Sequence, residues 1–438
     1  MISWSCSAIT HKVFWKLSMS VRLQFQGIRC FSARQDAVIR PLTLLVGENS
    51  SGKSTFLALC NSANSIILAI ASENSFNDPP FLLGAYDQIA SYRRGGQAES
   101  FSITFVVEGQ GRIEAKFVPI AGQPALRQWS LCTGESSLVV EPEGHSSIAH
   151  LTWRSKHQER TFREERLRLS LSWLFNDEYL GMTEPNWKEV RSVLSGTELK
   201  KLHDTMESIQ NAFGRAPYAF APIRTHPRRT YDPVRMSPTP EGSHVPMVLA
   251  ELADAQAGKS WTDLRSNLSK FGKKSGLFDQ IDVVRKGKKQ SDPFQIGVES
   301  GGNSFNLVDV GYGVSQVLPI LVDTIERSGV NDVFLLQQPE VHLHPSAQAE
   351  LGSYFARQVR KNGRFVIETH SDYIVDRIRM EVRRKTLRPA DVSLLYFERR
   401  KQGAMIHHLE LAADGSITNP PKGYREFFLN ESDRLLDV

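Results

Sequence analysis

The sequence predicts an α/β chain in which a mixed sheet is flanked by helices and carries a mostly helical insertion. Three observations lead there. A glycine-rich segment, GENSSGKST from Gly47, stands between an apolar strand-like run and a helical stripe. Strands and helices alternate from Phe294 to Phe397, the pattern of a sheet with parallel strands. Between residues 126 and 215 the texture turns to mixed charged, tryptophan-containing sequence, which reads as an insertion.

Val21 to Cys30 alternates as a strand does, and Pro41 to Val46 is a short apolar run of the buried-strand kind. Thr55 to Ala71 then places Phe56, Leu57, Leu59, Ile66, Ile67 and Ile70 at helical spacing, and Phe101 to Val107 resumes the strand pattern. The insertion ends in a helical stripe of Leu199, Leu202, Met206, Ile209 and Phe213, with Gly214 placed to stop it. Tyr218 to Arg224 reads as a strand and Pro227 to Ser243 as a proline-rich loop. From Trp261 to Lys289 the chain is basic, with Lys270, Lys273, Lys274, Arg285, Lys286, Lys288 and Lys289. Beyond Phe294 to Glu299, helices starting near Ser315, Ser346 and Ser371 alternate with strands at Val333 to Leu336, Phe365 to Ile367 and Val392 to Phe397. The expected division is an N-terminal extension at 1–18, a head made of 19–125 and 216–438, and the insertion at 126–215.

A chain of 438 residues buries a substantial core as one large domain with an insertion, or as two to three domains. Its net charge of +5 is too mild to identify a nucleic-acid binder, so any basic patch is local. Cys6, Cys30, Cys60 and Cys132 form no CxxC pair and read as reduced thiols in a cytoplasmic protein, without a zinc site or disulfide framework. Ser65 to Ala71 is far short of the roughly 20 apolar residues that span a bilayer, so no membrane segment is expected. The first eighteen residues lack the pattern of a signal peptide.

Gly47, Glu48, Asn49, Ser50, Ser51, Gly52, Lys53 and Ser54 fit G-x-x-x-x-G-K-[ST] and are followed by Thr55. Glycines let the backbone curl so that amides point inward, Lys53 reaches the β and γ phosphates, and Ser54 offers a hydroxyl to magnesium. ATP and Mg2+ are the expected cofactors. Downstream, Gly313, Val314, Ser315 and Gln316 open an apolar helix and make a second anion nest. One nucleotide does not need two cradles, so the second implies a nucleotide held by another subunit, hence a homodimer or higher homo-oligomer. VFLLQQPEVHLHP then sets Gln337, Gln338 and Glu340 at a strand's carboxyl end, where open α/β sheets bind ligands. FVIETHSD repeats the arrangement with His370.

This set resembles the ABC-type ATPases of the SMC, RecF and overcoming-lysogenization-defect group. GENSSGKST corresponds to Walker A, GYGVSQ to the signature, FLLQQPEVHLHP to Walker B with its loop, and ETHSD to the histidine switch. The resemblance is closest to bacterial ATPases of the group with a small C-terminal domain of unknown function, some of which serve in anti-phage defence. It implies an ABC-type head, with Gln88 as the magnesium-sensing glutamine, Ser54 and the 337 position at the metal, and Gln338, Glu340 and His370 at the chemistry. Walker B departs from the pattern, because Gln337 and Gln338 stand where carboxylates are usual and neither amide supplies negative charge or a general base. Glu340 and Glu368 are the nearby carboxylates that stand as substitutes. His342 and His344 share a strand face but lack further metal ligands, and HLHP reads as a loop against a partner subunit.

The function expected from the resemblance is an ATP-gated dimer with weak or impaired hydrolysis that controls a partner effector or engages nucleic acid. The alternatives are a degenerate ATP-binding scaffold, an autonomous nuclease of the overcoming-lysogenization-defect kind and a transporter subunit. GYGVSQ in place of LSGGQ disfavours the last.

Overall fold

The structure is a computed structural model. It describes residues 21–164, 196–254, 259–327 and 333–424, apart from positions 70, 72, 94, 135, 144–147, 156–157, 214–216, 419 and 422–423. The expected N-terminal extension, Cys6, Ile70 and the helix stop at Gly214 lie outside the described residues.

The chain begins β1 (Val21–Gln26), β2 (Gln35–Ile39), β3 (Leu42–Gly47), α1 (Lys53–Ile67), α2 (Tyr86–Ile89), β4 (Tyr92–Arg93), β5 (Gly96–Gln97) and β6 (Phe101–Val107). It continues β7 (Gly111–Ile120), β8 (Gln123–Thr133), β9 (Ser136–Pro142), β10 (Ala149–Arg154), β11 (Glu159–Glu164), α3 (Gly196–Phe213) and β12 (Tyr218–Phe220). The middle holds α4 (Val245–Asp254), α5 (Lys259–Ser275), β13 (Gln280–Arg285), β14 (Phe294–Ser300), β15 (Asn303–Asn306) and α6 (Tyr312–Glu326). The chain closes with β16 (Val333–Gln337), α7 (Pro345–Val359), β17 (Arg364–Glu368), α8 (Asp372–Arg383), β18 (Val392–Arg400), β19 (Gly403–Leu411) and β20 (Ile417–Thr418).

A seven-stranded sheet in the order β12-β16-β17-β3-β18-β19-β20 positions the site. Its first five strands are parallel, while β18-β19 and β19-β20 are antiparallel. The sheet is mixed, as expected. Period-two alternation sends Val333 and Leu335 of β16 into one hydrophobic cluster and Phe334 and Leu336 into another. Burial on both faces is why β3 and β16 read as continuous apolar runs rather than alternating ones. The first cluster also takes α1, α3 and an eight-stranded antiparallel sheet, β11-β10-β9-β8-β7-β6-β1-β2; the second takes α4 to α8 and the three-stranded sheet β13-β14-β15.

The segment read as a mostly helical insertion differs from that expectation in its described part. Strands β8 to β11 occupy most of 126–164, and the ladder runs unbroken across residue 125 inside β8; only Gly196–Phe213 is helix. Trp129 and Trp153, part of the texture that looked irregular, are inward-facing strand residues and fully buried. Trp129 Nε1 donates to the Ile66 carbonyl at 2.9 Å and ties this sheet to the end of α1. The α3 stripe buries Leu202, Met206, Ile209 and Phe213 as its spacing predicts. Among the described residues, no helix is long and apolar enough to cross a membrane.

Candidate nucleotide site

The loop from β3 to α1 is curled by positive φ at Gly47 (132°), Ser50 (58°) and Gly52 (98°). Close packing enforces the glycines. A Cβ on Gly47 would lie 2.3 Å from the Phe397 carbonyl oxygen, and one on Gly52 would lie 2.3 Å from the Phe31 ring. Gly52 is the N-cap of α1 and no side chain caps the helix, so the first-turn amides face the loop's concavity. Glu48, Asn49 and Ser50 are exposed at the crest, whereas Ser51 and Thr55 are buried. Ser51 Oγ donates to the Glu48 carbonyl at 2.7 Å and pins the turn. Lys53, 2% exposed, donates from Nζ to the carbonyls of Gly47 (3.0 Å) and Glu48 (2.6 Å), which holds its ammonium across the loop. Burial lowers the Lys53 pKa, with Glu368, Glu48 and Glu340 opposing. Curled amides, an uncapped helix start and a buried cation fit a triphosphate.

Strand β17 lies between β3 and β16, so its exit is one strand nearer this loop than the exit of β16. Ser54 Oγ donates to Glu368 Oε2 at 2.8 Å. Burial raises the Glu368 pKa, opposed by the Ser54 bond and by Lys53. Gln337 is the register partner of Glu368, and the Gln338 N–H donates to the Glu368 carbonyl at 2.8 Å, with Gln338 at φ 43°. Glu340 is buried, and its Oε1 accepts from the His370 N–H at 2.7 Å. Its Oε2 is buried without a close hydrogen bond, with the Thr369 side chain nearby. Burial pushes the Glu340 carboxyl up, against the His370 N–H and the charge of Arg224. His370 is exposed at the same edge, and burial of part of its ring and the nearby Lys53 charge both lower its pKa. The structure therefore brings together the Lys53, Ser54, Gln337, Gln338, Glu340, Glu368 and His370 positions named from sequence.

The signature segment starts α6 at Gly311 without a side-chain cap. Gly313 packs so closely that a Cβ would lie 2.9 Å from the His342 carbonyl. Val314 is buried in the core, Ser315 Oγ donates to its own Tyr312 carbonyl at 2.9 Å, and Gln316 is buried. Gln316 Oε1 accepts from the Arg224 N–H at 3.0 Å, and its Nε2 donates to the Arg224 carbonyl at 3.3 Å. Arg224, 1% exposed, donates from Nη2 to the Gln337 carbonyl at 3.3 Å, while Nε and Nη1 lack partners. Burial brings its pKa down to about 10, with Glu340 opposing. Sequence reasoning passed over Arg224; the signal available was an arginine at the exit of the apolar run YAFAPIR.

The other predicted residues make contacts of their own. The Gln88 side chain is exposed and folds back to accept from the Ala85 N–H at 3.1 Å, capping its own short helix. His344 caps α7, and the His342 ring lies 5.7 Å from that of Tyr312. Neither histidine joins the one three-residue His/Asp/Glu grouping among the described residues, the exposed His203, Asp204 and Glu207. In the basic stretch, Lys270, Lys273, Lys274, Lys286, Lys288 and Lys289 are exposed, whereas Arg285 pairs with Asp254.

Residues 246–376 match the family described as "AAA domain, putative AbiEii toxin, Type IV TA system". The match spans α4 to α8, so it holds the signature, the β16 exit and His370 but not the P-loop, and it covers less than half of the chain. No curated protein matches. Solved structures that are similar include the SmcHead bound to the C-winged helix domain of ScpA, with 10% identity, a TM-score of 0.41, and coverage of 90% of this chain and 98% of that one. An Smc head domain from Pyrococcus furiosus with an extended coiled coil, bound to the C-terminal domain of ScpA, has 10% identity, a TM-score of 0.39 and coverage of 96% and 98%. The SMC head domain from Thermotoga maritima has 10% identity, a TM-score of 0.36 and coverage of 90% and 100%. The chain is α/β, and its mixed sheet carries the P-loop segment at the exit of β3, with β16 and β17 of the matched AAA-domain segment in the same sheet.

Proposed function

We propose that this chain binds ATP with Mg2+ in the Gly47 to Thr55 cradle and closes as a cytoplasmic homodimer or higher homo-oligomer, each signature segment completing the partner's nucleotide site. The observation that carries the proposal is the cradle itself: curled glycines, an uncapped α1 and the buried Lys53 ammonium. The exposed Tyr312 beside the signature supports a contact surface there. Gln338 lends no general base where the resemblance places one, so hydrolysis is slow. ATP occupancy then sets the state of the assembly rather than driving rapid cycling. The matching family's description, a type IV toxin–antitoxin component, favours an antiviral setting with an effector protein as partner. The exposed lysines at 270–289 are the surface through which nucleic acid would be engaged.

Light scattering on the full chain tests the central claim. With ATP and Mg2+ the mass is expected to double relative to nucleotide-free protein, and an unchanged mass at saturating ATP would break the proposal.

A further inference from the structure

The Gln337 and Gln338 pair removes the usual Walker B charge, yet one carboxylate remains beside the P-loop hydroxyl. Three geometric facts concern it. Glu368 and Gln337 are register partners on adjacent parallel strands, so they reach the same edge of the sheet at the same height. The strand order puts Glu368 next to β3, while Gln337 is a strand further off. Glu368 Oε2 is 2.8 Å from Ser54 Oγ. Magnesium takes oxygen ligands at about 2.0–2.1 Å in near-ideal octahedra, so neighbouring ligand atoms sit about 2.9 Å apart. The serine hydroxyl and the glutamate oxygen already stand at the spacing of one octahedral edge. Glu340 has its own contact, its Oε1 accepting from the His370 N–H.

From this arrangement, and resting on the nucleotide-binding reading above, we infer that the metal-side carboxylate of this head has moved one strand, from the Gln337 position to Glu368. Glu368 and Ser54 together hold the Mg2+ that accompanies ATP, the glutamate directly or through one of the cation's waters. Gln337 is left as a neutral neighbour whose main-chain carbonyl serves Arg224. The inference separates two losses that the glutamine pair would otherwise imply together. Metal binding is retained through Glu368, while the general-base position stays empty of charge.

The test is binding, not turnover. ATP affinity of the full chain is measured by calorimetry in EDTA and in Mg2+, and Mn2+ uptake in the presence of ATP is followed by the loss of the free aqua-ion signal in electron paramagnetic resonance. Wild type should bind ATP more tightly with metal. Glu368→Gln should lose that increment by at least about tenfold in Mn2+ affinity. In EDTA the variant should bind ATP as well as wild type or better, because a negative charge near the phosphates is gone. Retention of the full increment in Glu368→Gln would overturn the inference, as would its loss in Gln337→Ala alone. Should Glu368→Gln fail to fold, Glu368→Asp keeps the charge but shortens its reach, and an undiminished Mn2+ affinity there would count equally against it. Absence of ATP binding by wild type in every arm would instead break the nucleotide reading.

Discussion

Two helix starts in this molecule are rich in glycine and serine, and they are built differently. At α1 the loop is wound by three positive φ angles and closed by a buried lysine. At α6 Gly311 sits at φ −59°, neither Gly311 nor Gly313 has a positive φ, and the serine hydroxyl turns back to its own helix. The first start is a curled concavity with a full charge beside it. The second offers amides and the helix dipole, equivalent to roughly half a charge. The difference shows why similar composition does not mean similar geometry: the α1 start fits a triphosphate, whereas the α6 start lacks both the curl and the lysine.

The sharpest way to break this contrast is to remove the charge from α1. Lys53→Ala should weaken ATP binding by at least about a hundredfold, since a buried charge-assisted contact to phosphate is lost. Calorimetry showing a loss under tenfold would mean that the α1 cradle is not the principal site. The second test puts a bulky cation on α6. Ser315→Arg should abolish ATP-dependent doubling of mass in light scattering, with ATP affinity of the single chain within about threefold of wild type, because α1 is untouched. Loss of ATP binding in that variant would show that the two starts do not divide the work as described. The smallest effect concerns backbone alone. Gly52→Ala should cost about 1–3 kcal/mol in denaturant unfolding, from positive φ and the Phe31 contact, while Gly311→Ala, with open space and negative φ, should fall within about 0.5 kcal/mol. Equal costs would erase the distinction.

Local pattern made much of this legible. The P-loop, the apolar strands β3, β16 and β17 and the helix starts all show in runs shorter than about twenty residues, where spacing alone carries the signal. What sequence did not show depends on register between distant strands. Glu368 was visible as a carboxylate, but its bond to Ser54 follows from β17 lying next to β3, which no local pattern states. Arg224 looked like the polar end of a strand, and only the packed sheet turns it into a buried bridge between Gln316 and the Gln337 carbonyl. The mostly helical expectation for 126–215 missed β8 to β11 because large tryptophans and exposed charges blur a period-two alternation that burial makes plain. Gln88 carries the magnesium-sensing role only as an implication of the resemblance, and its amide oxygen accepts from the Ala85 N–H within its own turn.

The same strand order governs when the site comes into being. Ser54 and Glu368 are 314 residues apart in sequence, and both hydrogen-bonded neighbours of β3 arrive late, β17 ending at Glu368 and β18 beginning at Val392. Strands β6 to β11, by contrast, each pair with the next one along the chain, so their ladder can zip as it is synthesised. Early local pairing and late distant pairing differ steeply in loop-closure cost. A growing chain carries the sequence of the glycine-rich loop long before it carries β17 and β18, the strands that flank β3 in the sheet.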